Sequence, residues 1–227
     1  MLKQGSTMKK VLLLAGMLSG VVAAHATLYT TNWTSGFANG GVVPDANLTG
    51  WVDTRSVSAT PAGTFASLSV NLHLTGGWNG DLYAYLVHDS GFTVLLNHVG
   101  LGVSGVGGFG YGDSGMDVTL ASTGTSIHQY GGNSTFSSIP TGTWAADNSS
   151  GGLDSFLGTS PNGTWSLFIA DSSGGGVSTV QGWGLQMDIV AVPEIETWVA
   201  AALAVIFGAI WVNRRICGQI KRGQHAL

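Results

Sequence analysis

The chain has 227 residues, with 36 glycines, 5 prolines, 44% hydrophobic residues and only 9% charged residues. This composition excludes a disordered polymer, which lacks apolar residues, and a helical bundle, which tolerates few glycines. Between Thr27 and Val192 the sequence has ten aspartates, no glutamate and a single basic side chain, Arg55. Such an acidic region repels polyanions and has no basic patch, so nucleic acid is excluded as a partner.

The N-terminal residues have the pattern of a secretory signal peptide. Two lysines precede an uncharged apolar run over residues 11–24, and the run ends at Ala24-His25-Ala26. Small residues at Ala24 and Ala26 match the A-x-A site that signal peptidase cleaves. We therefore expect residues 1–26 to be removed and the mature, exported chain to begin near Thr27.

The central region reads as a series of short strands. From Leu68 to Leu74 apolar and polar residues alternate, the period of a half-buried strand. Glycine-rich turns separate this segment from further predicted strands at Asp81–His88, Phe92–Asn97, Met116–Leu120, Thr164–Ala170 and Val180–Ile189. Short strands at this spacing, without helical periodicity, predict one all-β sandwich or barrel over residues 27–191.

The C-terminal region contains a second apolar segment. Residues 198–212 carry no charge and are followed by Arg214 and Arg215. An apolar segment with basic residues on one flank predicts a transmembrane helix over residues 198–212, with the membrane as a partner. The alternative is a buried helix of a globular domain. Cys217 lies beyond this segment, so no disulfide is available to the exported domain.

The end of the chain resembles the PEP-CTERM sorting tail of Gram-negative bacteria. The resemblance rests on Val192-Pro193-Glu194, the apolar helix, and the pair Arg214 and Arg215; Ile195 occupies the position of that motif's second proline. It implies that residues 192–227 form a sorting tail whose processing partner is an exosortase, a membrane-embedded peptidase. The protein would then be anchored in the envelope by its C-terminal helix or released to the cell surface or exopolysaccharide matrix.

The central region resembles the P domain, or P/Homo B domain, of proprotein convertases. Three segments carry the resemblance in the same order: Gly80-Asp81-Leu82, Asn162-Gly163-Thr164-Trp165 followed by Asp171, and Trp183-Gly184-Leu185. The resemblance implies an antiparallel jelly-roll β-sandwich. In convertases this domain lies beside a subtilisin-like catalytic domain, for which the exported region is too short. A role as accessory domain of a serine endopeptidase system is therefore only a remote alternative.

One segment copies a catalytic motif. Gly112-Asp113-Ser114-Gly115 matches the nucleophile loop of trypsin-like proteases. A serine nucleophile also needs a histidine base and an oxyanion hole, and no histidine lies in a recognisable context. Turn formation explains the segment, so we predict no enzymatic activity. His73 and His88 have no metal-ligand spacing and are expected at the surface or at sheet edges.

The aspartates of the exported region fall in predicted turns. Hard oxygen ligands in glycine-rich loops suit calcium outside the cell. A structural calcium ion is thus the one cofactor that the sequence suggests, with Asp81, Asp113 and Asp171 as its predicted ligands. Solvated turn aspartates are the alternative, since no EF-hand pattern is present.

The tryptophans divide into two groups. Trp165 and Trp183 alternate with polar residues and are expected in the core, whereas Trp33, Trp51, Trp78 and Trp144 lie in turns where exposed rings would bind sugars. The first interpretation of the sequence is an exported, non-catalytic structural or interaction protein of the cell surface or matrix. The alternative is a calcium- or carbohydrate-binding module with polysaccharide as partner.

Overall fold

The computed structural model describes residues 25–59, 63–89, 91–131, 139–147, 152–191 and 202–215. Residues 25–191 form one compact unit, and its described residues include nine strands connected by turns and four short 3-10 helices. The strands are β1 (Ala26–Trp33), β2 (Asn47–Val57), β3 (Gly63–Gly76), β4 (Leu82–His88), β5 (Gly91–Asn97), β6 (Met116–Ser126), β7 (Thr141–Ala145), β8 (Gly163–Asp171) and β9 (Ser178–Ala191). The 3-10 helices are Ala38–Gly41, Asn79–Asp81, Ile127–Gln129 and Gly152–Phe156.

The strands form two sheets. One has five strands in the order β1-β9-β3-β6-β7, and the other has four in the order β2-β8-β4-β5. With β7 set aside, these orders are those of a double-sheet jelly roll. The predicted purely antiparallel arrangement is wrong at β7, which pairs with β6 in parallel. A parallel neighbour needs a long connection, and the chain from Ser126 to Thr141 supplies it.

The core lies between the two sheets. Leu72 and Met187 of the five-stranded sheet and Leu86 and Leu167 of the four-stranded sheet belong to one cluster of buried side chains. Each of these side chains is at most 1% exposed. The strand predicted over Leu68–Leu74 is confirmed as part of β3, because its apolar side chains face this core.

Strand β2 shows why some strands cannot be recognised from the alternation of apolar and polar residues. Asp53 occupies a core-facing position between Trp51 and Val57, so the alternation of apolar residues is interrupted. Its carboxylate accepts hydrogen bonds from the Trp183 indole at 2.7 Å and from Arg55 Nε at 2.7 Å. A buried carboxylate with two such donors is tolerated in a core.

The predicted transmembrane helix over residues 198–212 is wrong. The helix of the C-terminal region covers residues 202–215, and within the described residues no helix is long and apolar enough to cross a membrane. At about 1.5 Å per residue the described part of this helix spans about 21 Å, compared with a hydrocarbon core of about 30 Å. It includes Arg214 and Arg215, whose charges shorten its apolar part.

The structure describes only some of the residues that are predicted to direct processing. Ala24, Pro193 and Glu194 lie outside the described residues. Ala26 is the first residue of β1 and has Val190 as its Cα partner. Cleavage after Ala26 would leave residues 27–33 of this strand in the mature chain. In the helix, the Arg215 guanidinium lies over the Trp211 ring, 4.2 Å from its centroid.

Candidate functional site

Three acidic segments meet at one end of the four-stranded sheet. Asp171 is the last residue of β8, and its Cα partner on β4 is Leu82, which follows Asp81 directly. Asp171 is also the Cα partner of Asn47, the first residue of β2, so the loop that carries Asp45 reaches the same end. We refer to Asp45, Asp81 and Asp171 as the acidic cluster.

Two members of the acidic cluster are buried. Asp171 is 0% exposed and Asp81 is 4% exposed, whereas Asp45 is exposed. The backbone N–H of Ser173 donates to Asp171 Oδ1 at 3.2 Å. The second oxygen, Asp171 Oδ2, is buried and has no hydrogen-bond partner. An ionised oxygen in this state lacks both water and a donor, which is costly.

The pKa values of Asp81 and Asp171 reflect the cost of burying two carboxylates. Burial raises the pKa of Asp171 to about 6; the Ser173 N–H lowers it, and the carboxylates of Asp81 and Asp45 raise it further. Burial likewise raises the pKa of Asp81, while His98 and Ser173 lower it and Asp45 raises it. Ionising both carboxylates at neutral pH therefore opposes folding unless a cation lies near them.

The segment Gly80-Asp81-Leu82 has a structural explanation at each position. The Gly80 N–H donates to the Tyr111 carbonyl at 2.8 Å, and a Cβ on Gly80 would overlap the backbone of residues 109–111. Asp81 joins the acidic cluster, and its carbonyl oxygen accepts from the Ser172 N–H at 2.9 Å. Leu82 is buried in the core. Glycine is thus required so that the loop can carry Asp81 into place.

Asp113, the third predicted ligand, belongs to a different network. Tyr130 Oη donates to Asp113 Oδ2 at 3.1 Å, and Asn79 Nδ2 donates to Tyr130 Oη at 3.2 Å and to the Gly115 carbonyl at 2.9 Å. Burial raises the pKa of Tyr130, so its hydroxyl remains a donor. Asp113 therefore fixes the loop before β6 and is separate from the acidic cluster. The sequence prediction missed Asp45 and included Asp113 in its place.

The side chains at the acidic cluster determine which ligands a metal ion would have there. Within the described residues, no three His, Cys, Asp or Glu side chains are grouped so that they alone hold a metal ion. At the acidic cluster, an ion would draw on the two buried carboxylates together with neutral oxygens. Ser173 lies at the cluster, because its backbone N–H donates to Asp171 Oδ1 and its side chain lowers the pKa of Asp81. Calcium accepts such mixed sets of oxygen ligands, including water.

Two histidines lie near carboxylates or hydroxyl groups. His128 Nε2 lies 2.6 Å from Asp147 Oδ2, while the Gly100 N–H donates to Nδ1 at 2.9 Å. Nδ1 is thus an acceptor, and the ring donates from Nε2. His98 Nδ1 lies 3.0 Å from the Gly80 carbonyl and 3.5 Å from Ser172 Oγ. Because Nδ1 donates to that carbonyl, it cannot accept the Ser172 proton as a general base would.

Two further predictions are corrected by burial. His88 is 3% exposed rather than at the surface, and both of its ring nitrogens face carbonyl oxygens, of Thr164 at 3.0 Å and Ser160 at 2.9 Å. Trp51 is 4% exposed, because its indole donates to the Ala38 carbonyl beneath a turn. The predicted burial of Trp165 and Trp183 is confirmed.

No protein-family model and no curated protein matches the chain. Solved structures similar to it include the complex of an Aeromonas sobria serine protease with a chaperone, at 15% identity and a TM-score of 0.44, covering 81% of this chain and 30% of that one. The serine protease of Aeromonas sobria gives 14% identity and a TM-score of 0.45, covering 80% of this chain and 30% of that one. This chain thus spans less than a third of those chains. With TM-scores below 0.5, neither likeness bears on its function.

Proposed function

We propose that this chain is an exported, non-catalytic interaction module whose β-sandwich is stabilised by a calcium ion at Asp81 and Asp171. The observation that carries the proposal is the buried, unpartnered Oδ2 of Asp171 beside a second buried carboxylate. Two such groups oppose folding at neutral pH unless a cation compensates them. Calcium supplies that charge and prefers oxygen ligands, of which it takes roughly 6–8.

Support for a non-catalytic role comes from the hydrogen bonds of the histidines. His98 donates from Nδ1 to a carbonyl, and His128 is fixed between the Gly100 N–H and Asp147. Both ring nitrogens of His128 are thus engaged, and the hydroxyl nearest His98, Ser172 Oγ, faces the ring nitrogen that carries the proton. Ser114, in the trypsin-like segment, lies in the loop before β6 that Asp113 and Asn79 hold in place.

Export and processing are part of the same proposal and rest on the sequence. The basic and apolar N-terminal run ends at Ala24-His25-Ala26, and the tail carries Pro193-Glu194 with a terminal arginine pair. An exosortase-type peptidase is the proposed processing partner, and the cell surface or extracellular matrix is the proposed location. A calcium ion suits this location, because calcium is abundant outside the cell and binding there needs only modest affinity.

Calcium is expected to raise the melting temperature of the purified full chain at pH 7. At a free calcium concentration about 100 times Kd, the gain is about 2.7 kcal/mol, equivalent to roughly 5–10 °C for a domain of this size. Scanning calorimetry in calcium, in magnesium and in EDTA measures this shift. Magnesium should give much less, because it demands small octahedral sites. Equal melting in calcium and EDTA would contradict the calcium site.

The intact mass of the protein recovered from its native cells and medium tests export and processing. We expect a chain that begins near Thr27 and ends near Pro193 or Glu194, because the two ends carry a signal-peptidase site and a sorting tail. Mass spectrometry of the envelope fraction and the medium gives both termini at once. A mass that includes Leu227 would reject processing of the tail, and one that includes residues 1–26 would reject cleavage of the signal peptide.

A further inference from the structure

A cleft opens on the outer face of the five-stranded sheet, where β1, β9, β3 and β6 lie side by side. Its volume is about 170 Å³, below the roughly 300 Å³ of a pocket for a drug-sized ligand. A site of this size suits a single small ring. The side chains that matter for the argument are those of Asn32, Asn71, His73 and Asp117, which line it together with Trp33 and Trp183.

The cleft exists because β9 carries glycines where its neighbours carry polar side chains. Gly184 is the Cα partner of Asn32 on one side and of Asn71 on the other, and Gly182 is the partner of His73. A Cβ at Gly184 would overlap the Asn32 side chain and the backbone of β1. At Gly184 the Asn32 side chain thus takes the space that a side chain of β9 would fill, and the cleft lies beside it, where Gly182 lines it.

Hydrogen bonds hold Asn32, Asn71 and Thr119 in fixed orientations beside the cleft. Asn71 Nδ2 donates to Asn32 Oδ1 at 3.3 Å, and Thr119 Oγ1 donates to Asn71 Oδ1 at 3.0 Å. Each amide nitrogen has two N–H groups, so both asparagines retain donors for a ligand. The next row places His73 opposite Asp117, both of them exposed. A fixed pair of amides therefore lies next to an exposed imidazole and an exposed carboxylate, which together offer donors and acceptors on this face of the sheet.

The chemistry of this array favours a neutral, polyhydroxylated ligand. An anion is disfavoured by Asp117 and by a region with ten aspartates and one arginine. A metal ion is disfavoured because Asp117 is the single carboxylate in the lining. Hydroxyl groups, which both donate and accept, match amide, imidazole and carboxylate groups in turn.

We infer that this cleft binds a sugar unit of a neutral polysaccharide. The inference rests on the proposed function in one respect, since export is what would bring the cleft to a matrix polysaccharide. The cleft shares no residue with the acidic cluster and lies on the other sheet. Calcium binding and sugar binding can thus be lost separately.

Affinity electrophoresis of the full chain tests the inference, with hydroxyethylcellulose, xylan, galactomannan and dextran as neutral probes and alginate as the anionic probe. We expect retardation by at least one neutral polysaccharide. His73→Ala and Asp117→Asn should each weaken it by about tenfold in apparent Kd. Asn71→Ala should do the same, because it also releases Asn32 and Thr119. Asn97→Ala is the matched control, since the bond at Asn97 is made by its backbone N–H.

The outcomes separate this inference from the calcium proposal. Each gel is run in calcium and in EDTA, and each variant is checked by circular dichroism and melting. Loss of binding in His73→Ala and Asp117→Asn with unchanged melting supports sugar binding at the cleft, whether or not calcium stabilises the protein. Retardation by alginate alone, no retardation by any neutral probe, or equal retardation of wild type and all variants would overturn it.

Discussion

Asp171→Asn is expected to remove most of the stabilisation that calcium gives to the wild-type chain. At about 100 times Kd that stabilisation is about 2.7 kcal/mol, and the variant loses a charged ligand at the most buried point of the acidic cluster. The amide retains an acceptor for the Ser173 N–H, which donates to Oδ1. The fold should therefore survive, and calorimetry in calcium and EDTA should show nearly equal melting.

The same variant is expected to change the dependence of stability on pH in EDTA. The pKa of Asp171 is raised from 3.8 to about 6 in the folded chain, so the folded state binds more protons than the unfolded state between these values. Stability of the wild type therefore falls as pH rises through this window and remains reduced at pH 7. The amide of the Asp171→Asn variant cannot ionise, so this variant should be more stable than wild type at pH 7 in EDTA by about 1–2 kcal/mol.

Asp154→Asn is the control for both measurements. Asp154 is an exposed aspartate in the Gly152–Phe156 helix, so its replacement removes one negative charge away from the acidic cluster. It should keep the calcium response and the pH slope of the wild type. If Asp171→Asn keeps the full calcium response, or is less stable than wild type in EDTA at pH 7, the charge at Asp171 has been misinterpreted.

Part of this structure can be read from sequence because it depends on local pattern. The alternation from Leu68 to Leu74 predicts β3, since period two places every second side chain on one face. Asp81 and Asp171 are predictable as loop-end aspartates, each adjoining an apolar strand. Their meeting depends on β4 and β8 being neighbours, which local sequence does not reveal and the register of the two strands establishes.

The remaining features depend on contacts between distant segments. Asp113 follows a glycine as Asp81 does, and its hydrogen bond with Tyr130, a residue distant in sequence, places it in another network. Asp53 is polar in sequence and buried in the fold because Trp183 and Arg55 supply its donors. The polar cleft forms only where four strands lie in register, so none of its residues can be recognised from the sequence as part of a site. The membrane prediction gave more weight to the apolar run and its basic flank than to its length, which at about 1.5 Å per residue falls short of a hydrocarbon core of about 30 Å.

Trp165 lies where the two sheets of the sandwich pack together. We expect Trp165→Ala to be the most damaging single substitution in the core. Trp165 is 0% exposed; its ring stacks on His88 at 4.0 Å and contacts Phe65 and Phe156 at 5.7 and 5.4 Å between centroids. Its indole donates to the Pro161 carbonyl at 3.0 Å. Truncating a buried tryptophan costs about 3–5 kcal/mol, because the cavity cannot close against rigid strands.

Chemical denaturation of the full chain in calcium measures this loss as a lower midpoint with an unchanged slope. Trp165→Phe is the comparison: it retains most of the ring volume and the stacking on His88 but loses the indole hydrogen bond, so it should cost only about 1–2 kcal/mol. If alanine and phenylalanine cost the same, the hydrogen bond rather than the cavity dominates at this position. If neither substitution lowers the midpoint, Trp165 does not lie in the core that joins the two sheets. The calcium response should persist in both variants, because the acidic cluster lies at the far end of β8 from Trp165.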